Sequence, residues 1–252
     1  MAACLLAKRW APQGVSISVV ESPEIGIIGV GEGSTPQLRA FFQGLGVSEA
    51  EWMAFCNATY KNGISFHGWS PLPGYESYFH PFPSPIDAHT APAFHFNSFG
   101  RRRGADLEAA PDRFFLSAKL AEKRLAPRAA HHFPFDIAYG YHFDAFLVGK
   151  FLRRHAESLG VAHIEGRVAD IGLDETGAVT ALTLDGGRKI AADFFIDSTG
   201  FRSMILQERL CVPFHSYKEN LYNDSAVVMP TPPDPDGLGS ATRAVAMKAG
   251  WR

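Results

Sequence analysis

The segment VSISVVE at positions 15–21 alternates apolar and polar residues and is rich in β-branched side chains, which predicts a β-strand. Residues 1–10 have the pattern of the end of an amphipathic helix, and Gly14 is placed to terminate that helix. A helix, a short loop and a strand that ends in an acid, here Glu21, form the second half of a βαβ nucleotide-binding unit. The sequence therefore predicts an α/β fold with a parallel sheet.

The first half of that βαβ unit is absent from the sequence. No opening strand and no G-x-G-x-x-G motif precede the first helix. A chain that begins inside a βαβ unit lacks a central strand and the helix amino terminus that binds a pyrophosphate. We therefore expect Met1 to be an internal residue of a longer protein. The alternative is a different fold in which this first helix is the native beginning.

Composition and charge narrow the function classes. The chain has 252 residues, of which 46% are hydrophobic, and a formal net charge of -2. These values predict a folded core and give no reason to expect nucleic acid or an anionic membrane as a partner. No apolar stretch approaches the ~18 residues of a membrane span, so a soluble protein is expected, and the scattered cysteines favour the reducing cytoplasm. The three cysteines have no zinc or disulfide spacing, and no metal site is expected: Cys4, Cys56 and Cys211.

The first half of the chain predicts two short helices and then an extended segment. The helices are expected at 37–44 and 48–56, where Ser48 and Glu51 match a capping box. Residues 60–69 have the alternation of one strand. Residues 71–134 are rich in Pro, Phe and His and have weak periodicity, which indicates a long loop that serves as a substrate lid or insertion.

The second half of the chain predicts a long helix followed by a β-meander. The turn sequences DETG and DGG are strong hairpin signals, and the apolar strand that ends at Asp197 is expected to return to the parallel sheet. In order, these elements are helix 143–159, strands 161–173, 178–184 and 188–197, and further strands at 221–229 and 243–247.

The glycine-rich segment ESPEIGIIGVGEGSTP at positions 21–36 is where the sequence resembles the flavin-dependent tryptophan halogenases. In that family a G-V-G-E core, followed by a small residue, a variable pair and Pro, contacts the flavin. Small residues allow backbone N–H groups to approach the flavin ring and phosphates. The alternative is a turn whose glycines are required only for positive φ angles.

A second segment, NATYKNGISFHGW at positions 57–69, resembles the segment that contains the essential lysine of the family. The resemblance implies that Lys61 is the catalytic residue, which holds hypohalous acid by a hydrogen bond or as a haloamine beside an indole carbon. Desolvation would lower the pKa of an ammonium in a dry passage and would suit either role. Without the surrounding motif, Lys61 would be interpreted as an ordinary surface lysine.

Four further segments extend the resemblance. In YFHPF (78–82), His80 and Phe82 match family positions beside the substrate indole, although loop packing is the alternative. YGYHFDAFLV (139–148) matches a helix start in which Asp144 is a helix cap or dipole partner. DFFIDSTGFRS (193–203) is shared by many two-domain flavoproteins. AMKAGWR (246–252) resembles the approach to the W-x-W-x-I-P signature, so the family's later Glu and chloride-binding turn are outside the sequence.

The resemblance implies an incomplete FAD-binding, Rossmann-like domain of the two-domain flavoprotein monooxygenase type, truncated at both ends. Four segments are predicted: a partial βαβ region with Lys61 at 1–70, a substrate-side insertion at 71–138, a flavin-binding helix, meander and return strand at 139–212, and the start of a substrate-binding sheet at 213–252. The implied FAD-binding residues are Glu21, Ser22, Ile25, Ile28, Val30, Gly31, Glu32, Gly33 and Val168.

The implied activity is FAD-dependent chlorination or bromination of tryptophan or of another indole or aromatic molecule. FAD would arrive as FADH2 from a separate flavin reductase, with O2 and a halide as co-substrates. One alternative is a flavin-dependent monooxygenase that hydroxylates its aromatic substrate. Another is an inactive flavoprotein fragment, which would bind FAD poorly and aggregate through an exposed sheet edge. The assembly state is left open, a homodimer included.

Overall fold

The computed structural model of the chain describes residues 1–26, 29, 32–232, 234–235 and 237–252. In this part of the chain, no helix is both long and apolar enough to cross a membrane. The α-helices of the described residues are α1 (Ala2–Trp10), α2 (Gln37–Leu45), α3 (Glu49–Phe55), α4 (Ala91–Arg101), α5 (Leu116–Glu122) and α6 (Ala145–Ser158).

The strands of the described residues form four small sheets, with the orders β1-β6, β2-β5, β7-β8-β9 and β11-β10-β3-β4. The chain is α/β, as the sequence predicts. The strands are β1 (Ser18–Glu21), β2 (Thr59–Lys61), β3 (Gly63–His67), β4 (Ser77–Pro81), β5 (Gly140–His142), β6 (Ala162–Glu165), β7 (Val168–Leu173), β8 (Val179–Leu184), β9 (Lys189–Ala191), β10 (Thr242–Met247) and β11 (Gly250–Trp251).

The chain divides into two compact units, which are described separately. The first comprises Met1–Ile28 and Leu152–Ala226, and the second comprises Gly29–Phe151 and Val227–Arg252. These boundaries differ from those of the four segments predicted from the sequence. The four segments were defined by their expected functions, whereas the two units are defined by compactness. The functional assignment of the segments therefore stays a prediction.

The first unit contains the predicted helix, loop and parallel strand. Gly14 has a φ of 86° and ends the turn after α1, because this left-handed conformation is unstrained only for glycine. Strand β1 pairs in parallel with β6, and Glu21 lies opposite Glu165 at the carboxyl ends of the two strands. The meander of β7, β8 and β9 is also confirmed. Its first turn is closed by the Asp174 carboxylate, which accepts hydrogen bonds from the backbone of Thr176 and Ala178.

Three strand predictions in this unit were wrong. Residues 161–173 form two strands, because β6 pairs with β1 whereas β7 pairs with β8. Of the predicted strand 188–197 only Lys189–Ala191 is a strand, and the described residues of the predicted strand 221–229 have no strand structure. The apolar side chains of both segments are largely exposed, for example 79% for Phe194. In the part of the chain that the structure describes, no neighbouring strand is present to bond their backbone or to cover their side chains. The carboxylate of Asp197 instead accepts hydrogen bonds from the backbone of Ile205 and Leu206 in a π-helical turn.

In the second unit, α2 and α3 pack their apolar faces into one aromatic core. Gly46 has a φ of 77° and ends α2, while Ser48 caps α3 by accepting a hydrogen bond from the backbone N–H of Glu51. The Trp52 ring is fully buried and stacks on Phe42 at 4.2 Å between ring centroids. Removing such a buried aromatic side chain typically costs about 3–5 kcal/mol, so this core fixes the helices beneath the strands of the unit.

The predicted single strand at 60–69 is two strands in different sheets. Strand β2 pairs with β5, whereas β3 lies between β4 and β10. The break falls at Asn62, whose side-chain amide donates to the carbonyl of Leu125 and whose backbone N–H donates to the carbonyl of Ser240. These two bonds take Asn62 out of the strand pairing, which alternation in the sequence does not reveal.

The predicted loop at 71–134 contains regular structure, namely β4, α4 and α5. The Asp87 carboxylate, which is buried, accepts hydrogen bonds from the backbone N–H groups of Ser84 at 2.6 Å and Leu116 at 2.8 Å. Because side chain–backbone bonds rather than a long amphipathic face hold this region, its sequence has little periodicity.

Candidate functional site

The candidate site is centred on Lys61, the last residue of β2. It pairs with Gly140 of β5, and only 4% of the residue is exposed. Burial disfavours the charged ammonium and lowers the pKa of Lys61 below its ordinary value. Lys61 is therefore not the ordinary surface lysine that the isolated residue would suggest. Its ammonium group loses a proton more readily than that of an exposed lysine.

Three groups converge on the Lys61 amine. A Cβ atom on Gly33 would lie 2.9 Å from Lys61 Nζ, 3.2 Å from Thr242 Oγ1 and 3.4 Å from His142 Cδ2. The pairing of β2 with β5 accounts for the approach of His142, because diagonal residues on adjacent strands project from the same face of a sheet. Gly33 forms an isolated bridge with His142 on the other side of β5. Lys61 therefore extends across β5 until its amine lies against the backbone of Gly33.

His142 is a half-buried neutral imidazole beside this amine. Its Nε2 is 2.9 Å from Thr242 Oγ1, and the tautomer decides which of the two donates the hydrogen bond. Burial, and then the positive charge of Lys61, lower the pKa of His142 to about 4. At neutral pH the imidazole is therefore uncharged and places no second positive charge beside the lysine.

The opposite face of the β2–β5 pair contains a cluster of polar side chains around the half-buried Glu49 carboxylate. The hydroxyls of Tyr139 and Tyr141 donate to Glu49 Oε1 at 2.7 and 2.5 Å, and Arg128 lies 3.3 Å from Glu49 Oε2. Burial, with the Glu49 carboxylate, raises the pKa of Tyr139 to about 12 and that of Tyr141 further. This negative charge is therefore neutralised on the face opposite the Lys61 amine.

The two predicted substrate residues differ in their surroundings. Phe82 is buried, and its ring centroid lies 5.9 Å from Lys61 Nζ, so the structure brings these two predicted residues together. His80 is exposed on β4, with its ring edge-on to Phe82 at 6.5 Å between centroids. The apolar wall next to the amine is thus provided by Phe82.

The predicted cofactor residues fall in both units. In the first unit, the half-exposed Glu21 carboxylate at the carboxyl end of β1 lies 2.9 Å from His163 Nε2, and Ile25 is exposed. Ser22 and Val168 are half-buried. Glu32 and Gly33 belong to the second unit and are exposed. The remaining three predictions lie outside the described residues: Ile28, Val30 and Gly31.

Motifs in the sequence did not reveal the neighbours of the Lys61 amine, His142 and Thr242, or the Glu49 cluster on the opposite face of the β2–β5 pair. One signal was available, since Tyr139 and Tyr141 alternate around Gly140 as two residues on one face of a strand do. Thr242 gave no signal, because it is 181 positions from Lys61 in the sequence. Among the described residues, no group of three or more His, Cys, Asp or Glu side chains could hold a metal ion.

Comparison with solved structures defines the class of fold. The chain superimposes on tryptophan 6-halogenase SttH from Streptomyces toxytricini with a TM-score of 0.82 at 34% identity, over 99% of this chain and 50% of that chain. It also matches Xcc4156, a flavin-dependent halogenase from Xanthomonas campestris, with a TM-score of 0.77 at 34% identity, over 99% and 49% of the two chains. The fold is that of flavin-dependent halogenases, over half of their length.

The family profile described as tryptophan halogenase matches residues 1–252, and the chain belongs to this family. It is 34% identical to tryptophan 7-halogenase KtzQ from Kutzneria sp. (strain 744), over all of this chain and 50% of that protein. The chain therefore spans about half the length of the curated relatives it matches. Its family and fold class confirm the resemblance seen in the sequence.

Proposed function

We propose that the protein halogenates tryptophan, or another indole or aromatic molecule, and that Lys61 carries the reactive halogen. The observation that supports this most directly is that the Lys61 amine is buried beside the ring of Phe82. This burial lowers the pKa of the amine. Bound reduced FAD, with O2 and a halide, supplies hypohalous acid in this chemistry. The relatives named above as tryptophan halogenases support the choice of substrate class.

Two roles for the Lys61 amine remain compatible with its surroundings. As an ammonium, Lys61 donates a hydrogen bond to hypohalous acid and directs the halogen towards the substrate. As a neutral amine, it attacks the halogen: an N–halogen bond forms, the O–halogen bond breaks, and hydroxide takes a proton from nitrogen to leave as water. The aromatic carbon then takes the halogen and loses its ring proton, and the amine is regenerated. A lowered pKa favours the neutral form that this second role requires.

The surroundings of Lys61 suit either role, because among the described residues no carboxylate is paired with the amine and the neighbouring Phe82, Thr242 and neutral His142 carry no charge. The buried Phe82 ring excludes water on one side, and an indole that packs against the edge of this ring would gain about 0.5–1.5 kcal/mol per aromatic pair. Water in this passage would hydrolyse a haloamine and dissipate the oxidant. We assign Phe82, with His80 at the outer edge, to substrate contact.

The cofactor assignments follow the chemistry of the residues. The Glu21 carboxylate at the end of β1 suits ribose hydroxyls, and the exposed Gly33 lets the chain approach a flat ring without a side chain in between. We also assign FAD contact to Ser22, Ile25 and Val168 of the first unit, to Glu32 of the second, and to the three residues outside the described part of the chain. A separate flavin reductase would supply FADH2. The free state of all three cysteines fits the reducing cytoplasm.

The decisive experiment replaces Lys61 with Ala in the complete gene product that contains this chain. We expect loss of halogenated product with flavin reoxidation nearly unchanged, because oxidant would form but would not be held beside the substrate. Lys150→Ala, at an exposed position of α6, is the matched control and should behave as wild type. Product is measured by mass spectrometry and reoxidation by flavin absorbance.

The same measurement separates the alternatives. A product with a chlorine or bromine isotope pair supports halogenation, whereas a gain of one oxygen supports the hydroxylase. Normal yield of halogenated product from Lys61→Ala would refute the role of Lys61.

A further inference from the structure

The residues around the Lys61 amine include one arrangement that the halogenation chemistry itself does not require. The imidazole of His142 and the hydroxyl of Thr242 are hydrogen-bonded at 2.9 Å and both face the position next to Gly33 where the amine lies. Strand β5 supplies the imidazole and β10 supplies the hydroxyl, so two sheets of the second unit meet at this amine.

We propose that His142, fixed by Thr242, is a positioning residue that holds the Lys61 amine against Gly33 and keeps water away from it. This inference rests on the proposed role of Lys61. His142 and Thr242 together would keep the surroundings of the amine free of water and of charge, which Lys61 and Phe82 alone do not do.

The hydrogen bond between His142 and Thr242 keeps the imidazole in place and free of water. A half-buried imidazole nitrogen without a partner would recruit water, because leaving a buried polar group unpaired is costly. With Thr242 Oγ1 as its partner, the Nε2 atom is satisfied within the protein and the ring stays in one orientation. Water recruited to His142 would also hydrate the adjacent amine.

In the part of the chain that the structure describes, the ionisable groups on the surrounding elements are engaged away from the amine. The Glu49 carboxylate is bound by Tyr139 and Tyr141 on the opposite face of β2 and β5. Glu32 Oε1 points back along its own loop, 3.3 Å from the position of a Cβ atom on Gly29. On β10, the charge of Arg243 acts on His67. His80, on β4, is exposed.

The test measures the titration of Lys61 directly, by acetic anhydride labelling across a pH series with mass spectrometry of the Lys61 peptide. The complete gene product that contains this chain is compared as wild type, Thr242→Val and Thr242→Ser. Valine has nearly the shape of threonine but no hydroxyl, whereas serine keeps the hydroxyl. We expect the labelling midpoint to rise in Thr242→Val, with labelling at a fixed lower pH reduced about tenfold, and to stay at the wild-type value in Thr242→Ser.

His142→Gln is a second variant that keeps a donor for Thr242 and removes the ring, and its labelling midpoint should also rise. It carries the test if Thr242→Val does not fold, which thermal melting would reveal. An unchanged midpoint in either Thr242→Val or His142→Gln, or an equal rise in Thr242→Val and Thr242→Ser, would overturn the inference. Failure of the proposed function looks different: Lys61→Ala would still halogenate, while the Val and Ser variants would still differ in labelling.

Discussion

The amine of Lys61 lies against Gly33, where a single added Cβ atom would be 2.9 Å from Nζ and 3.2 Å from the hydroxyl of Thr242. No φ in the left-handed region explains this glycine, since Gly33 is not among the positive-φ residues of the described chain. Glycine is required here because the Lys61 amine occupies the space in which a larger residue would have its side chain. The absence of a side chain at position 33 therefore sets where the amine can lie.

Gly33→Ala should move the Lys61 amine and reduce halogenation. The added methyl group overlaps the present position of Nζ, and a displacement of about 1 Å at a reacting group can cost as much as ~100-fold in rate. We expect a fall of roughly tenfold to a hundredfold in product formation, measured with saturating FADH2. Gly44→Ala is the control: it lies in α2 with nothing within 4 Å, so activity should be unchanged. Wild-type activity in Gly33→Ala would show that the lysine accommodates the methyl group.

Glu49→Gln should destabilise the second unit. The neutral amide would weaken the hydrogen bonds from Tyr139 and Tyr141 and leave Arg128 without its carboxylate partner. Bonds to a charged group contribute about 1.5–3 kcal/mol each, so we expect a loss of ~2 kcal/mol in the free energy of unfolding by urea titration. The exposed Glu76→Gln in the same unit should change it by less than ~0.5 kcal/mol. Equal effects of the two substitutions would mean that the cluster adds no stability.

His142 should make the protein less stable in mild acid. Its pKa is about 4 in the folded chain against an ordinary 6.5, so the unfolded chain binds more protons between these values. The stabilisation is present above pH 6.5 and is lost as the pH falls towards 4, by as much as ~3 kcal/mol.

The measurement is the free energy of unfolding at several pH values between 4 and 7. His142→Gln should flatten this dependence, whereas His131→Gln, at an exposed position, should leave it as in wild type. A pH dependence that persists unchanged in His142→Gln would assign the acid sensitivity to other groups.

Glu21→Gln should weaken FAD binding. Replacing the carboxylate by an amide removes a charged acceptor for ribose hydroxyls, and a loss of ~1.5 kcal/mol corresponds to roughly tenfold in Kd. Quenching of flavin fluorescence measures the affinity. The control is Glu165→Gln, because Glu165 lies opposite Glu21 at the end of β6 and pairs with Arg153 instead. If both variants lose affinity equally, general charge at this edge rather than Glu21 is responsible.

The sequence was most informative where local rules decide the structure. The turn after α1 ends at Gly14, α2 ends at Gly46, and the meander turn is closed by the Asp174 carboxylate, all through contacts within a few residues. The sequence was least informative where a strand pairs with residues far away along the chain. The apolar run ending at Asp197 has a strand composition but no strand partner in the described chain, and composition does not carry that information.

The sequence by itself determined the family, the α/β class and the candidate lysine, because these follow from motifs contiguous along the chain. Only the tertiary structure decided that Lys61 is buried, that Gly33, His142 and Thr242 meet its amine, and that Glu49 is held on the opposite face. The physical reason is that burial and desolvation depend on strand pairing between distant residues. Lys61 is joined to β5 across almost 80 positions, and alternation within one segment cannot specify which strand will be its neighbour.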